Sequence, residues 1–143
     1  MAALVDTNVL VYRHDDRFPE KQRTANSLLR RGLVTGQLRI PHQALVEFVS
    51  AVTRPLRDGA GLLSRQEAQS EVEKLLKEFV VLYPVEAVLR TALQGAAAYG
   101  MSWYDAHLWA YAEHYGLPEI LSEDFQHGRL YGSVRAVDPF LPA

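Results

Sequence analysis

The sequence predicts an α/β fold of three layers, a central parallel sheet of four to five strands sandwiched by helices. Three observations predict it. Short apolar, β-branched runs alternate along the chain with segments of helical length bounded by Pro, Ser and Gly, and that alternation belongs to a parallel sheet covered on both faces. The 143 residues are 48% hydrophobic and 22% charged, ordinary globular composition at one domain's length, so residues 1–143 are expected to form a single domain. No internal repeat, low-complexity tract or linker interrupts them. A chain of this length buries about 70% of its unfolded surface and folds without disulfides or structural metal.

Ala2 to Val5 is an apolar run ending at Asp6, the pattern of a buried strand. Pro19 opens and Gly32 closes a helix through Ala25, Leu28 and Leu29, following the Pro-start, Gly-stop asymmetry. Leu38 to Ile40 reads as a second strand, then Pro41 and a helix to about Thr53, ended by Pro55. Asp58 to Gly61 is a loop, and Ser64 with Glu67 forms a capping box for a helix through about Glu78. Phe79 to Tyr83 is a strand, and Pro84 starts a helix that Gly100 stops near Tyr99. Ser102 with Asp105 begins the next helix, which ends at Gly116. Pro118 to Leu121 feeds a strand stopping at Ser122, and Val134 to Val137 is the last strand.

Cysteine is absent, which excludes disulfide frameworks, thiol catalysis and Cys-based zinc sites and fits a cytoplasmic location. The apolar start carries Asp6 and Asn8 and no basic lead, a poor signal peptide. The longest apolar stretch elsewhere, Ala44 to Val52, contains Glu47 and Ser50 and is too short to span a bilayer, so no membrane association is expected. The net charge of −2 weighs against a nucleic-acid partner. Assigning four acids to a metal site removes that objection, because the remaining surface then turns net positive. Twelve of the fifteen basic residues are Arg, the side chain shaped for bidentate phosphate contact.

Four acids point to one place. The functional crevice of an open parallel sheet lies beyond the carboxyl ends of its strands. Asp6 follows the first strand and Asp124 follows the strand ending at Leu121, so both fall on that edge. Asp105 lies in the first turn of a helix, which the same edge can present. Each alone has an ordinary explanation, as a turn former or a helix-dipole partner. Glu47 shares a polar stripe with Gln43, Ser50 and Arg54, opposite the apolar Leu45, Phe48, Val49 and Val52. Converging carboxylates repel and stay partly protonated unless a cation joins them. Oxygen-only ligands without Cys or a His pair suit Mg²⁺, or Mn²⁺ in its place. The chemistry that follows is phosphodiester hydrolysis by metal-activated water.

These residues resemble a known family. Asp6-Thr7-Asn8-Val9-Leu10 resembles the opening of PIN-domain nucleases, and Glu47 within Ala44 to Phe48 resembles their second acid. Ser102-Trp103-Tyr104-Asp105-Ala106 resembles the third-acid motif, and Leu121 to Gly128 the fourth, in the form common among VapC-type toxins. The similarity runs in order along nearly the whole chain. It implies a PIN-like fold and a metal-dependent endoribonuclease, the toxin of a type II toxin–antitoxin pair. The resemblance also implies a homodimer, held inactive by a small cognate antitoxin. Asp6, Glu47, Asp105 and Asp124 carry over as metal and catalytic acids, and Asn8 and Ser102 as polar groups orienting acids or water. Asp124 is chosen over its neighbour Glu123 by motif alignment.

His107 and His114 are seven apart on one helical face, roughly opposite Asp105 by angular count, and are expected to face a partner or solvent. His127 lies in the fourth-acid motif, beside phosphate or simply in the turn before Gly128. Tyr104, Leu108, Tyr111 and Tyr115 form a stripe expected to pack in the core or a dimer. Arg54 and Arg57 flank Pro55 and are candidates for contact with RNA phosphate or antitoxin acids. A haloacid-dehalogenase-type phosphatase also has an Asp after its first strand, but wants a second Asp where this chain has Asn8. The alternative to a nuclease is a catalytically silent PIN-fold module acting in operon regulation with its antitoxin.

Overall fold

A computed structural model describes residues 1–142. Strand β1 (Ala3–Val5) is followed directly by a short helix, α1 (Thr7–Tyr12). The long helix α2 (Pro19–Thr35) leads to β2 (Leu38–Pro41), α3 (His42–Thr53) and α4 (Arg65–Glu78). Then come β3 (Val80–Leu82), α5 (Glu86–Tyr99), α6 (Trp103–Tyr115), β4 (Glu119–Leu121), β5 (Leu130–Tyr131) and β6 (Val134–Val137). The sheet has six strands in the order β3-β2-β1-β4-β6-β5. Five are parallel neighbours, within the expected count. The sixth, β5, is antiparallel to β6 and pairs through Leu130 with Arg135 and Tyr131 with Val134. Two residues closing a tight turn at Gly132 (φ 62) offer no alternating pattern to read, which is why sequence periodicity passes over them.

The core runs through Leu4, Val5, Ile40, Ile120 and Ala136 of the sheet and Leu10, Leu29, Phe48, Leu75 and Tyr111 of the helices. Capping decides most helix ends as the sequence implies. Ser64 and Glu67 form the reciprocal capping box of α4, and Gly100 and Gly116 end α5 and α6 in the left-handed conformation. Two boundaries differ. Gly32 does not stop α2, which continues to Thr35 and ends on Gly36 at φ 68. Gly32 is there for space: a Cβ would sit 2.2 Å from Leu38 Cδ1. Helix α5 starts at Glu86, two residues beyond Pro84. Among the described residues no helix is long and apolar enough to cross a membrane.

Strand order reverses around β1, with β2 on one side and β4 on the other. In a parallel sheet such a switch point opens a crevice at the carboxyl ends of the two central strands. Helix α3 packs against α1 and contacts β2, and α6 contacts β1 and β4, so both reach that crevice.

Candidate metal centre

The register of the sheet sets the first two groups. Val5 aligns with Leu121, so Asp6 and Ser122 leave their strands side by side. Ser122 is fully buried and its hydroxyl donates to Asp6 Oδ2 at 2.5 Å. Ser122 Oγ in turn accepts the Asp124 backbone N–H at 3.0 Å and the Asn8 amide at 3.2 Å. Asp6 also caps α1, its Oδ1 accepting the Thr7 N–H at 2.6 Å. Asn8, one residue further, turns its Nδ2 to Asp6 Oδ2 at 3.3 Å and Asp124 Oδ2 at 3.2 Å. Helix α6 delivers Asp105 from its first turn, where the Ser102 hydroxyl caps the Asp105 N–H at 3.3 Å.

One oxygen from each of Asp6, Asp105 and Asp124 lies within 4.8 Å of the other two. The electrostatics are those of crowded acids. Burial pushes the Asp6 carboxyl from 3.8 up to about 7, with the charges of Asp124 and Asp105 adding to the rise and the Ser122 and Thr7 hydrogen bonds opposing it. Asp124 is raised as well, by desolvation first and then by Asp105. Glu47 is raised by desolvation, with Asp105 and Asp124 contributing. Asn8 Oδ1 is buried without a hydrogen-bond partner, since its amide nitrogen faces the acids. A donor set made only of oxygen, three repelling carboxylates and one orphaned carbonyl fits a hard divalent cation that keeps waters of its own.

The family model for the PIN domain matches residues 3–132. The chain belongs to the PIN-domain family. Solved structures share this PIN fold along most of its length. A chain of a toxin–antitoxin complex from Klebsiella pneumoniae is 19% identical with a TM-score of 0.68, covering 96% of this chain and 98% of that one. A chain of a DNA-bound VapBC complex from Salmonella typhimurium is 17% identical at TM-score 0.69, covering 97% and 98%. A sarcin-ricin loop cleaving toxin from Mycobacterium tuberculosis is 15% identical at TM-score 0.61, covering 83% and 87%. No curated protein matches by sequence. At these identities the structural likeness speaks for the fold.

Within this PIN fold the candidate residues divide. Asp6, Asp105, Asp124 and Asn8 come together. Glu47 stands beside them, half-buried, its Oε1 accepting from Gln43 Nε2 at 3.0 Å. Ser102 serves the centre through the backbone of Asp105, and the hydroxyl that touches the acids is that of Ser122. Glu123 turns away to Tyr12 Oη at 2.7 Å and Lys21 Nζ at 3.2 Å. Arg54 and Arg57 lie exposed beyond α3, about 10 Å along the helix axis from Glu47 in the case of Arg54. His127 Nδ1 accepts the Asp138 N–H at 3.0 Å, a turn staple. Of the aromatic stripe, Tyr111 and Leu108 are core while Tyr104 is 70% exposed. His107 faces Gln43 of α3. The sequence marks Ser122 only as a strand stop and Gln43 only as part of the Glu47 stripe, without assigning either to the site. The first could be found from the strand register, the second from its place one turn before Glu47.

Proposed function

We propose that this PIN-domain protein is a Mg²⁺-dependent endoribonuclease acting as the toxin of a toxin–antitoxin pair. The observation that carries the reading is the convergence of Asp6, Asp105 and Asp124 from three separate elements on one point. Asp6, Asp105 and Asp124 would hold the ion, with Glu47 completing the site from α3. A bound Mg²⁺ would supply positive charge that activates water and stabilises charge developing on the phosphate. Asp6 is held for this by the Ser122 hydroxyl and the Thr7 N–H, and Asn8 keeps Asp6 and Asp124 in register. Glu47, its Oε1 held by Gln43, would take the proton that water gives up on attacking phosphorus. Mn²⁺ substitutes for Mg²⁺ in such an oxygen set.

The partner reading draws on the neighbours, several of which are toxin–antitoxin complexes. An antitoxin segment would bury apolar side chains in a groove and bring an Arg or Lys to the acids. Arg54 and Arg57 offer exposed charge to RNA phosphates or to antitoxin acids. A homodimer is supported by an exposed apolar stripe at i, i+4 spacing, Val85, Leu89 and Leu93. Three neighbours are complexes bound to DNA, which favours a second role on operator DNA through the antitoxin. The test is cleavage of RNA by purified protein with and without Mn²⁺. Wild type should cut only with metal and Asp6→Asn should not cut. A folded Asp6→Asn protein cutting at the wild-type rate refutes the assignment of Asp6, and a wild type that cuts no RNA with metal refutes the nuclease reading.

A further inference from the structure

Gln43 spans the two helices that carry Glu47 and Asp105. Its Nε2 donates to Glu47 Oε1 at 3.0 Å and to the Tyr104 carbonyl, in the first turn of α6, at 3.0 Å. Its Oε1 lies 2.5 Å from His107 Nδ1. An amide oxygen only accepts, so His107 Nδ1 carries the hydrogen and donates it. The reversed amide would set Oε1 against a carboxylate and a carbonyl, two acceptors, so the network has one favourable arrangement. The imidazole is itself held in place. Trp103 and Tyr111, one turn to either side on α6, pack against it with ring centroids 6.1 and 5.5 Å away.

We propose that Gln43 and His107 are positioning residues that fix the Glu47 carboxylate at the edge of the acid cluster. His107 pins the amide, through its oxygen, in the orientation in which Gln43 donates to Glu47 and to the turn bearing Asp105. The inference rests on reading the acids as a metal centre. Neither residue is among the cluster's carboxylates; both act through Glu47 and through the spacing of α3 and α6. Without the His107 donor the Gln43 amide loses the bond that pins its oxygen, and the hydrogen bond that orients Glu47 loosens. Loss of such an outer partner costs a metal site about 10–100-fold in affinity.

The experiment uses the full chain. Mn²⁺ binding is measured by titration calorimetry for wild type, His107→Leu, His107→Asn and Gln43→Glu, and ¹⁵N NMR reads the His107 tautomer in the metal-free wild type. Asn places an amide N–H where Nδ1 sits, whereas Leu keeps bulk without a donor. Expected are the Nδ1–H tautomer, Mn²⁺ binding about 10–100-fold weaker in His107→Leu, most of the affinity restored in His107→Asn, and a loss in Gln43→Glu at least as large as in His107→Leu. In a Glu47→Gln background, His107→Leu should cost clearly less than it does in the wild type, and an undiminished cost overturns the route through Glu47. An Nε2–H tautomer, or failure of His107→Asn to rescue, overturns the proposal even if His107→Leu does not fold. Wild-type Mn²⁺ affinity in His107→Leu overturns this proposal alone, whereas a wild type that binds no Mn²⁺ overturns the metal-centre reading and this proposal with it.

Discussion

Asp6 is asked to do two things that oppose each other: cap α1 from a buried position and carry charge among other acids. Burial raises its pKa from 3.8 to about 7. Between those two values the unfolded carboxyl loses its proton while the folded one keeps it, so the folded state binds more protons and stability falls as pH rises. Glu47 and Asp124, also raised by burial, act in the same direction. His14 and His107, lowered by burial, act in the opposite one, destabilising the fold as pH drops below their ordinary 6.5. A comparison of wild type with Asp6→Asn cancels the histidines. Metal-free wild type should lose melting temperature from pH 5 to 7.5 more steeply than Asp6→Asn, by calorimetry, and saturating Mn²⁺ should flatten the difference. Parallel curves would show that Asp6 is not the group responsible. Ser122→Ala leaves Asp6 Oδ2, the Asp124 N–H and Asn8 short of a partner at once. Denaturant unfolding should show a loss of about 1–3 kcal/mol, and Mn²⁺ should bind more weakly.

At the scale of elements, α6 is the member whose placement matters most, because it carries Asp105 and His107 and packs along α5. That packing depends on Gly95. A Cβ there would lie 2.2 Å from Trp109 Cζ3, and the ring cannot simply swing aside, since Trp109 Nε1 donates to the Tyr131 carbonyl at 3.0 Å. Gly95→Ala should therefore destabilise the protein by about 1–3 kcal/mol, despite the better helix propensity of Ala. Urea unfolding measures this directly; a neutral result would mean that α5 and α6 can separate without cost.

For the whole molecule, a cation held by the acid cluster would add to the stability of the native state. Acids arriving from β1, α6 and the loop after β4 repel until a cation joins them, and a ligand that binds only the native state stabilises it by mass action. Millimolar Mn²⁺ should raise the melting temperature of wild type but hardly that of an Asp6→Asn, Asp105→Asn double variant. Equal shifts would indicate nonspecific ionic effects. The same logic extends to an antitoxin that seats a cation among the acids. Excess Mg²⁺ should weaken inhibition more than NaCl at matched ionic strength, read as RNA cleavage by the complex. If the two salts act alike, the antitoxin blocks by covering the crevice.

Local signals determined much of this protein in advance of its structure. The strand–helix alternation, the Ser64 capping box and the Gly stops of α5 and α6 depend on residues within a turn or two of one another, and such signals survive in the sequence. So does the edge of the sheet to which Asp6 and Asp124 belong, because an acid after a parallel strand can only leave at its carboxyl end. What tertiary structure decided are choices between chemically similar neighbours. Ser122 rather than Ser102 touches the acids, because strand register buries the first against Asp6 while the second caps an exposed helix start. Asp124 rather than Glu123 faces inward, because Tyr12 and Lys21 on other helices take up Glu123. Gly36 rather than Gly32 ends α2, because Gly36 takes the left-handed conformation while Gly32 stays helical and makes room for Leu38. The angular count that turns His107 away from Asp105 holds along α6 alone; the contact with Gln43 forms between residues 64 apart in sequence. Each of these depends on which distant side chain arrives first at a shared space, and no periodicity within one element carries that information.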